Sequence, residues 1–425
     1  MHTLEQLRRG ELAGISRLDL SCGLSVFPAE IFDLADSLEV LNLSGNQLSQ
    51  LPADLPRLRK LKVIFCSDNP FTVVPEVLGD CPQLEMVGFK ANRIAHVPAA
   101  SLPAQLRWLI LSDNQVAELP AELGARPRLQ KLMLAGNRLA ALPESLSACR
   151  NLQLLRIAAN RFEHLPQWLL ELPHLAWLAY AGNPVSDRAE PSQAMTAIPL
   201  QQIQMGEVLG EGASGIIHAA HWQAPGQPTR AMAAKLFRGE VTSDGLPHSE
   251  MAACLAAGNH PHLIGVAGPL ASTPPGLLLE RISADYQVLA GPPSLASCTR
   301  DCYPQQQRFH LDEALNIARA VASAVAHLHA RGILHGDLYG HNLLVNPEGH
   351  CVLGDFGAAS FFDPASAHGQ LLQRIETRAF GCLLEELLQR CYGDERAAPL
   401  WQLQQACITE TVAERPDFQA VCRAL

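Results

Sequence analysis

The chain has 425 residues, too many for one ordinary domain, so two or three separate cores are expected. Its formal net charge of -10 and isoelectric point near 5.9 argue against a surface for nucleic acid or anionic lipid, because neither attracts an acidic chain. No apolar run of about 18 residues and no signal-peptide core occur, which predicts a cytoplasmic protein without a membrane span. The twelve cysteines are expected to be reduced thiols, although the close pair Cys298 and Cys302 leaves a loop metal site open.

The first half of the sequence is a repeat with the pattern Leu-x-x-Leu-x-Leu-x-x-Asn. Its asparagine returns at residues 46, 69, 92, 114, 137, 160 and 183, in steps of 23, 23, 22, 23, 23 and 23 residues. This period and pattern are typical of leucine-rich repeats, in which each unit is one strand plus a turn or short helix. The asparagine amides are expected to bond the backbone at the turn, and the Leu-Pro or Val-Pro pairs to start the convex side. Residues 1–184, with an N-terminal cap, are therefore predicted to form an α/β solenoid.

The concave face of the predicted solenoid carries an apolar stripe. The positions that flank the strand leucines face this surface, where such arrays usually bind. Here they include Phe65, Met86, Trp108, Ile110, Met133, Leu154 and Trp177. Because exposed apolar patches more often mark partner sites than defects, we expect a protein or peptide partner here, or the second half of the chain folded back on it. The alternative is that neighbouring side chains half-cover several of these residues.

A glycine-rich run comes after the polar, proline-containing residues 185–200, which indicate a linker. The pattern Gly-x-Gly-x-x-Gly occurs both in dinucleotide folds and in the phosphate loops of kinases. Because Ile216 and Ile217 follow it, and a second apolar strand comes after a turn, the context favours a kinase. The residues predicted to surround the nucleotide in this run are Leu209, Gly210, Gly212, Gly215 and Ile217.

The next motifs complete a predicted N-terminal lobe at about 201–280. Lys235 lies in the second apolar strand, where the lysine that pairs with ATP phosphates would lie. Glu250 falls on a helical pattern and resembles the glutamate that holds this lysine; the alternative is a solvent-facing helix residue. The apolar run 277–282 indicates a strand entering a hinge, where backbone groups at Glu280 and Ile282 would hold adenine. A C-terminal lobe is predicted at about 286–425.

The most informative stretch is 335–344, His-Gly-Asp-Leu-Tyr-Gly-His-Asn-Leu-Leu, followed by Asp-Phe-Gly at 355–357. Phosphoryl transfer needs a carboxylate to orient the attacking hydroxyl, and oxygen or amide ligands to hold Mg²⁺. Asp337 fits the first role, and Asn342 and Asp355 fit the second. Together with Glu-Arg-Pro at 414–416, these motifs resemble those of protein kinases over residues 201–425.

A leucine-rich array joined to this loop resembles the leucine-rich-repeat protein kinase family known from bacteria and plants. The resemblance implies a two-domain protein, an α/β solenoid followed by an α+β bilobal kinase domain. It implies ATP and Mg²⁺ as cofactors and an enzyme of the serine/threonine type.

Two departures from the family pattern lie in the catalytic loop. Gly336 stands where an arginine usually precedes the catalytic aspartate and binds an activation-loop phosphate, so regulation by such a phosphate is not expected. Tyr339 and Gly340 replace the usual Lys-Pro, which removes a lysine that neutralises the γ-phosphate. His341 is the candidate for supplying part of that charge when it is protonated.

A third departure is a shortened activation segment. Only 18 residues separate Gly357 from Glu376, and they contain no Ala-Pro-Glu. Arg415 resembles the arginine that pairs with that missing glutamate, so it is expected to bond Glu376 or Glu385 or to reach solvent. Because this segment also builds the platform for protein substrates, binding of a peptide in the usual pose is in question.

Three functions remain open from the sequence. The leading interpretation is an active protein kinase whose repeat array selects a partner, because every group needed for ATP chemistry is present. The second is a pseudokinase scaffold that binds nucleotide and a protein. The third is a small-molecule phosphotransferase, since aminoglycoside and choline kinases also begin this loop with His-Gly-Asp-Leu. In the leading interpretation, substitution of Trp108 or Trp177 is expected to change partner choice alone.

Overall fold

The computed structural model describes residues 2–190, 196–212, 214–238, 241–242, 244–393 and 395–425. Contacts divide the chain into two compact units, Met1–Leu172 and Pro173–Leu425. The second unit includes the last repeat strand, which lies before the boundary predicted at 184. The predicted bounds at 184 and 200 stay predictions, and residues 191–195 of the predicted linker lie outside the described part.

The first unit is a leucine-rich solenoid. It opens with helix α1 (Leu4–Arg8), which is capped by the side chain of Thr3. Within the described residues of this unit, seven short strands pair in parallel, each with the next along the chain. They are β1 (Arg17–Asp19), β2 (Val40–Asn42), β3 (Val63–Phe65), β4 (Met86–Gly88), β5 (Trp108–Ile110), β6 (Lys131–Met133) and β7 (Leu154–Arg156). The middle residue of each strand is buried, as the leucine pattern predicts.

Short helices form the convex side of the solenoid. They are the 3₁₀ helices Ala29–Leu34, Leu55–Arg57, Glu76–Asp80, Ala99–Ser101, Ala121–Ala125 and Glu144–Ala148, and helix α2 (Gln167–Leu170). All but Leu55–Arg57 begin directly after a proline. Proline suits this place because its fixed φ is compatible with the start of a helix and its missing N–H would have no helical partner there. The prediction that these prolines start the convex side is confirmed.

Asparagine side chains join successive repeats. The amide nitrogen of Asn114 donates to the carbonyl oxygens of Phe89 and Leu111 at 2.8 and 3.0 Å, and its amide oxygen accepts from the Ile94 N–H at 2.9 Å. The equivalent bonds recur at Asn46, Asn69, Asn92, Asn137 and Asn160. Each amide therefore satisfies backbone groups of two repeats at the turn, as expected from the sequence.

The apolar stripe is more covered than the sequence indicated. Met86, Met133, Leu154 and Trp177 are buried, while Phe65, Trp108 and Ile110 are half-buried. The ammonium group of Lys131 lies 4.1 Å from the centre of the Trp108 ring. The stripe is therefore not the continuous exposed patch expected, and the binding of a protein or peptide there stays a prediction.

The second unit begins with β8 (Trp177–Ala179) and α3 (Pro184–Asp187), and then forms an antiparallel sheet. The sheet contains β9 (Ile203–Glu211), β10 (Gly215–Trp222), β11 (Arg230–Phe237), β12 (Val266–Leu270) and β13 (Gly276–Glu280), in the order β12-β13-β11-β10-β9. A 3₁₀ turn, Leu200–Gln202, precedes β9, and helix α4 (Pro247–Ala257) lies between β11 and β12 in the chain. This sheet and helix lie within the range predicted for the N-terminal lobe, and the bounds of that lobe stay a prediction.

Helices dominate the rest of the second unit. They are α5 (Leu311–Ala330), α6 (Ala367–Leu388), α7 (Ala398–Ile408) and α8 (Phe418–Ala424), with 3₁₀ turns at Gly340–Asn342, Glu395–Ala397 and Val412–Glu414. No helix in the described ranges is long and apolar enough to cross a bilayer.

Short strand pairs position the candidate site. The strands are β14 (Gln287–Val288), β15 (Ile333–Leu334), β16 (Leu343–Val345), β17 (Cys351–Leu353) and β18 (Ser360–Phe361). β16 pairs with β14 and β17, and β15 pairs with β18. These pairings bring residues 335–342, which lie between β15 and β16, beside residues 354–359, which lie between β17 and β18. The fold thus holds together the two motifs that carry Asp337 and Asp355.

Candidate active site

Two adjoining cavities in the second unit bring the predicted nucleotide residues together. One, of about 220 Å³, is lined by Gly212, Gly215, Ile217 and Lys235, and by Asp355 on its other side. The structure therefore places the glycine-rich run, the strand lysine and the Asp-Phe-Gly motif around a single space.

The second cavity is larger, about 680 Å³, and shares Ile217 with the first. Leu209, Glu280 and Ile282 line it, so the predicted hinge residues face it together with the start of the glycine-rich run. Gly210 lines neither cavity and lies opposite Ile217 in the register of β9 and β10.

The glycine-rich run is the turn of a β-hairpin. It joins β9 to β10, so the strand-turn-strand context predicted from the sequence is present, although Ala213 lies outside the described residues. A Cβ atom at position 215 would lie 2.3 Å from the carbonyl oxygen of Leu236. Gly215 is therefore required by the close approach of β11, as well as being suited to close approach of a ligand.

Lys235 and Glu250 form a buried ion pair. The ammonium group of Lys235 donates to the carboxylate of Glu250, a residue that is only 3% exposed. Burial lowers the pKa of Lys235, but the charges of Glu250 and Asp355 outweigh this effect, so its pKa lies above the ordinary value. Lys235 therefore remains a cation beside the smaller cavity, and Glu250 is not a solvent-facing helix residue.

Asp337 and Asn342 are joined by hydrogen bonds. The amide nitrogen of Asn342 donates to the Oδ2 atom and to the backbone oxygen of Asp337, both at 2.8 Å. The nearby Asp355 is exposed, and its Oδ1 accepts from the Gly357 N–H at 3.1 Å. The buried His335 donates from Nε2 to the carbonyl oxygen of Gly354 at 2.9 Å, which ties the two motifs together.

His341 connects Asp337 to a second carboxylate. Its Nδ1 lies 2.7 Å from Oδ1 of Asp301, and its Nε2 lies 4.0 Å from Oδ2 of Asp337. Burial lowers the pKa of His341, but the hydrogen bond to Asp301 and the negative charges of Asp337 and Asp355 raise it above its ordinary value overall. These neighbours thus make the protonated imidazole more favourable than it is in a free histidine side chain.

Glu376 supports the site in a way that the sequence analysis missed, because it considered this residue only as a partner for Arg415. This fully buried carboxylate accepts from the backbone N–H groups of Gly336 and His335 at 2.7 and 3.2 Å, and from Nε2 of His329 at 2.7 Å. It thus fixes the start of the catalytic loop on helix α6. No local pattern marks this role, because an isolated glutamate within a helix usually faces solvent.

Arg415 does not pair with either predicted acid. Its guanidinium donates to the backbone oxygens of Thr409, Arg374 and Pro173 at 2.9, 3.2 and 2.7 Å. Glu376 is used by the catalytic loop, so the predicted pairing of Arg415 with Glu376 or Glu385 is wrong. A planar group with five donors can instead satisfy several carbonyl groups at once.

Gly336 is explained by its surroundings. Its φ is 74°, and a Cβ atom there would lie 2.6 Å from the carbonyl oxygen of Ala358 and 2.7 Å from that of Leu178. Such a position excludes an arginine, because any side chain would collide with backbone atoms. Only residues 358–366 lie between Gly357 and helix α6, so the activation segment is short, as predicted.

Trp177 contacts the catalytic loop. It is 2% exposed, its indole N–H donates to the carbonyl oxygen of Leu338 at 3.0 Å, and its ring stacks on Tyr339 with 4.4 Å between centroids and 5° between planes. The expectation that Trp177 acts on partner choice alone does not account for these contacts.

Comparisons with known proteins agree with both parts of the fold. A family model described as "Protein tyrosine and serine/threonine kinase" matches residues 203–377, and one described as "Leucine Rich Repeat" matches residues 37–58. The chain is 32% identical over 120 residues to "Probable inactive serine/threonine-protein kinase roco10" of Dictyostelium discoideum, covering 27% of this chain and 4% of that protein.

Two further relatives match over similar lengths. "Serine/threonine-protein kinase AtPK1/AtPK6" of Arabidopsis thaliana is 32% identical over 27% of this chain and 23% of its own length. "Leucine-rich repeat and calponin homology domain-containing protein 1" of Mus musculus is 30% identical over 28% of this chain and 18% of its own length. The matched part thus spans less than a quarter of each of these three relatives. The chain contains leucine-rich repeats followed by a domain of the protein tyrosine and serine/threonine kinase family.

Proposed function

We propose that this chain is an ATP- and Mg²⁺-dependent protein kinase that transfers the γ-phosphate to a serine or threonine hydroxyl. The proposal rests on one observation above all. Lys235, Glu250 and Asp355 line one cavity, and the strand pairings hold the loop with the bonded pair Asp337 and Asn342 beside the Asp-Phe-Gly motif. A scaffold protein would not need all five groups.

ATP would occupy the two adjoining cavities. The larger one has apolar walls from Leu209, Ile217 and Leu279, which suit the flat face of adenine, with backbone groups near Glu280 and Ile282 at its edge. The smaller one has the glycine-rich turn and Lys235, which suit phosphates. Because Glu250 holds the ammonium group of Lys235 in the cleft, the cation would be in place before the nucleotide binds.

The residues of the cleft fit Mg²⁺. Oxygen ligands are those that this ion prefers, and the carboxylate of Asp355 is exposed. Asn342 uses its amide nitrogen on Asp337, which leaves its amide oxygen to face a cation. Bound Mg²⁺ would neutralise charge on the phosphates.

Asp337 would orient the attacking hydroxyl and accept its proton. Two donated hydrogen bonds from Asn342 fix the loop and the orientation of the carboxylate, as a positioned proton acceptor requires. His341 would supply positive charge beside Asp337, in place of the lysine that the sequence lacks two residues after it.

Substrate selection would fall to the repeats. The activation segment offers only residues 358–366 as a platform, which is little surface for a peptide. A protein substrate or partner held by the leucine-rich array would compensate by raising its effective concentration at the cleft. This role and the cytoplasmic location remain predictions.

The second candidate is a scaffold that binds nucleotide without transferring phosphate. Gly336 and Tyr339 replace two basic residues of the usual loop, and one relative is described as probably inactive by its name. The short activation segment also keeps a small-molecule phosphotransferase open, although the Asp-Phe-Gly motif does not favour it.

The test is transfer of labelled γ-phosphate from Mg-ATP to a generic acceptor protein and to the chain itself. Label is expected with the wild type and not with Asp337→Asn, while both bind nucleotide in a thermal-shift assay. Asp312→Asn, an exposed residue on helix α5, serves as the matched control and keeps full activity. Equal transfer by Asp337→Asn would refute the assignment of Asp337. No transfer by the wild type, with nucleotide binding intact, would favour the scaffold.

A further inference from the structure

The last repeat contacts the catalytic loop through a stack of rings. Trp177 stacks on Tyr339, and Tyr339 lies against His341 with 4.9 Å between centroids and 30° between planes. His341 in turn lies 4.0 Å from the carboxylate of Asp337. The indole N–H of Trp177 adds a hydrogen bond to the carbonyl oxygen of Leu338, the residue next to Asp337. Trp177, which lies 160 positions before Asp337 in the sequence, thus contacts both Leu338 and Tyr339 in the loop.

The same part of the chain also holds the segment after Asp-Phe-Gly. The backbone N–H of Tyr180 donates to the Ser360 hydroxyl at 3.0 Å, and the Tyr180 hydroxyl donates to the carbonyl oxygen of Phe361 at 3.0 Å. The Phe361 N–H donates to the hydroxyl of Ser186 at 3.1 Å. We call residues 173–187 the terminal repeat segment. It bonds the loop that carries Asp337 and Asn342, and it bonds the residues that follow the Asp-Phe-Gly motif.

The substitutions in the catalytic loop fit this contact. A Cβ atom on residue 336 would lie 2.7 Å from the backbone oxygen of Leu178, so only glycine allows this close approach. Tyr339 supplies the ring on which Trp177 stacks. Two of the positions at which the loop departs from the usual pattern, Gly336 and Tyr339, therefore meet the terminal repeat segment. None of these residues lines either of the two cavities proposed for ATP, so their contacts serve another purpose than nucleotide binding.

We propose that the terminal repeat segment holds the catalytic loop in its working geometry, with Trp177 as a positioning residue for Asp337. It takes the place of the contact between a loop arginine and a phosphorylated activation segment, so phosphate transfer needs no prior phosphorylation of residues 358–366. This inference rests on the proposed function for its kinetic consequence. Its structural consequence, order in the catalytic loop, does not depend on activity.

The kinetic test compares Trp177→Phe and Trp177→Leu with the wild type. Trp177→Phe keeps a ring for stacking and loses the N–H donor, whereas Trp177→Leu loses both. We expect kcat to fall several-fold in Trp177→Phe and about tenfold or more in Trp177→Leu. The KM for ATP should stay within about twofold of the wild-type value, because a small misplacement of a catalytic group affects the transition state and not nucleotide binding. Trp401→Phe, on helix α7 and half-buried, is the matched control and keeps the wild-type kcat. Wild-type kcat in Trp177→Leu would overturn the proposal.

The second test is hydrogen exchange, which needs no activity. Amides of residues 335–342 and 358–361 are expected to exchange faster in Trp177→Leu than in the wild type, whereas those of α7 keep their rates. Should Trp177→Leu fail to fold, Trp177→Phe and Tyr180→Phe, which each remove one hydrogen bond, carry the same test. Unchanged exchange at both stretches overturns the proposal. If the wild type transfers no phosphate but exchange is faster in the variants, the positioning role is supported and the proposed function is rejected.

A third measurement concerns phosphorylation. Wild-type protein treated with a phosphatase is expected to keep its rate of transfer, because the terminal repeat segment already holds the loop. A loss of activity on dephosphorylation, restored by incubation with ATP, would contradict the proposed independence.

Discussion

Replacing Glu376 by glutamine tests how the catalytic loop is supported. One carboxylate oxygen accepts from the Gly336 N–H, and the other accepts from the His335 N–H and from His329. Glutamine has only one acceptor oxygen, so in either orientation its NH₂ group faces at least one donor. A hydrogen bond to a charged group contributes about 1.5–3 kcal/mol, and breaking a buried ionic pair costs about 3–5 kcal/mol. We expect Glu376→Gln to lower the free energy of unfolding of the second unit by about 3 kcal/mol.

The effect should depend on pH in a defined direction. Burial raises the pKa of Glu376, but the bond from His329 and the Gly336 N–H outweigh it, so the pKa in the folded chain lies below 4.5. A carboxyl group whose pKa is lower when folded binds fewer protons in that state. The contribution of Glu376 to the free energy of unfolding is therefore full above pH 4.5, and it is lost as the pH falls through the lower pKa of the folded chain. The difference between wild type and Glu376→Gln should be constant near neutrality and shrink in acid.

This difference is measured by urea unfolding at about pH 7 and about pH 4, with hydrogen exchange at residues of the second unit as the readout. The exchange readout is needed because the chain has two units, and a single transition cannot be assumed. Glu348→Gln, an exposed residue, is the matched control and should change stability by less than about 0.5 kcal/mol. If Glu376→Gln unfolds at the wild-type urea concentration near neutral pH, the carboxylate does not support the loop as its contacts indicate.

Three further predictions concern other parts of the chain. Lys235→Met should reduce phosphate transfer by at least about 100-fold, measured with labelled ATP, because the cation in the cleft is removed. Gly336→Ala should lower the stability of the second unit by about 2–4 kcal/mol in a thermal unfolding measurement, whereas Gly349→Ala, also at positive φ but without close backbone neighbours, should lower it by about 1 kcal/mol. Asn114→Ala should lower the free energy of unfolding of the first unit by about 3 kcal/mol in urea, because four backbone groups lose a hydrogen bond. Asn151→Ala, at an exposed residue with one bond, should lower it by less than about 1 kcal/mol.

Features with a local chemical cause were predictable from the sequence. The asparagine of each repeat satisfies backbone groups within its own and the preceding repeat, so its period is the period of the fold. The prolines begin the convex helices because their φ is fixed wherever they occur. In the second unit, Asp337 and Asn342 are five residues apart in one loop, which is why the motif alone could indicate that they lie close together.

Contacts between distant parts of the chain were not predictable in this way. Trp177 occupies the strand position that Trp108 occupies in an earlier repeat, and the repeat pattern alone assigns them the same environment. Trp108 contacts Lys131 of the next strand, whereas Trp177 stacks on Tyr339. The sequence separation of 161 residues between Trp177 and Leu338 leaves no periodicity to detect. Arg415 was misassigned for a related reason, since the pairing inferred from family pattern ignored the backbone oxygens that surround it.

The loop contacts also bear on the choice between an enzyme and a scaffold. A scaffold needs a stable second unit, and a stable unit does not require that a catalytic aspartate be held from several sides. Here Asn342 bonds Asp337 directly, Glu376 fixes the two residues before it, and Trp177 contacts the two residues after it. A buried carboxylate such as Glu376 destabilises the fold unless it is fully bonded, and here its bonds come from His329 and from the two residues at the start of the loop. Precise support of a single carboxylate is needed for proton acceptance during phosphate transfer, and it favours the enzyme over the scaffold.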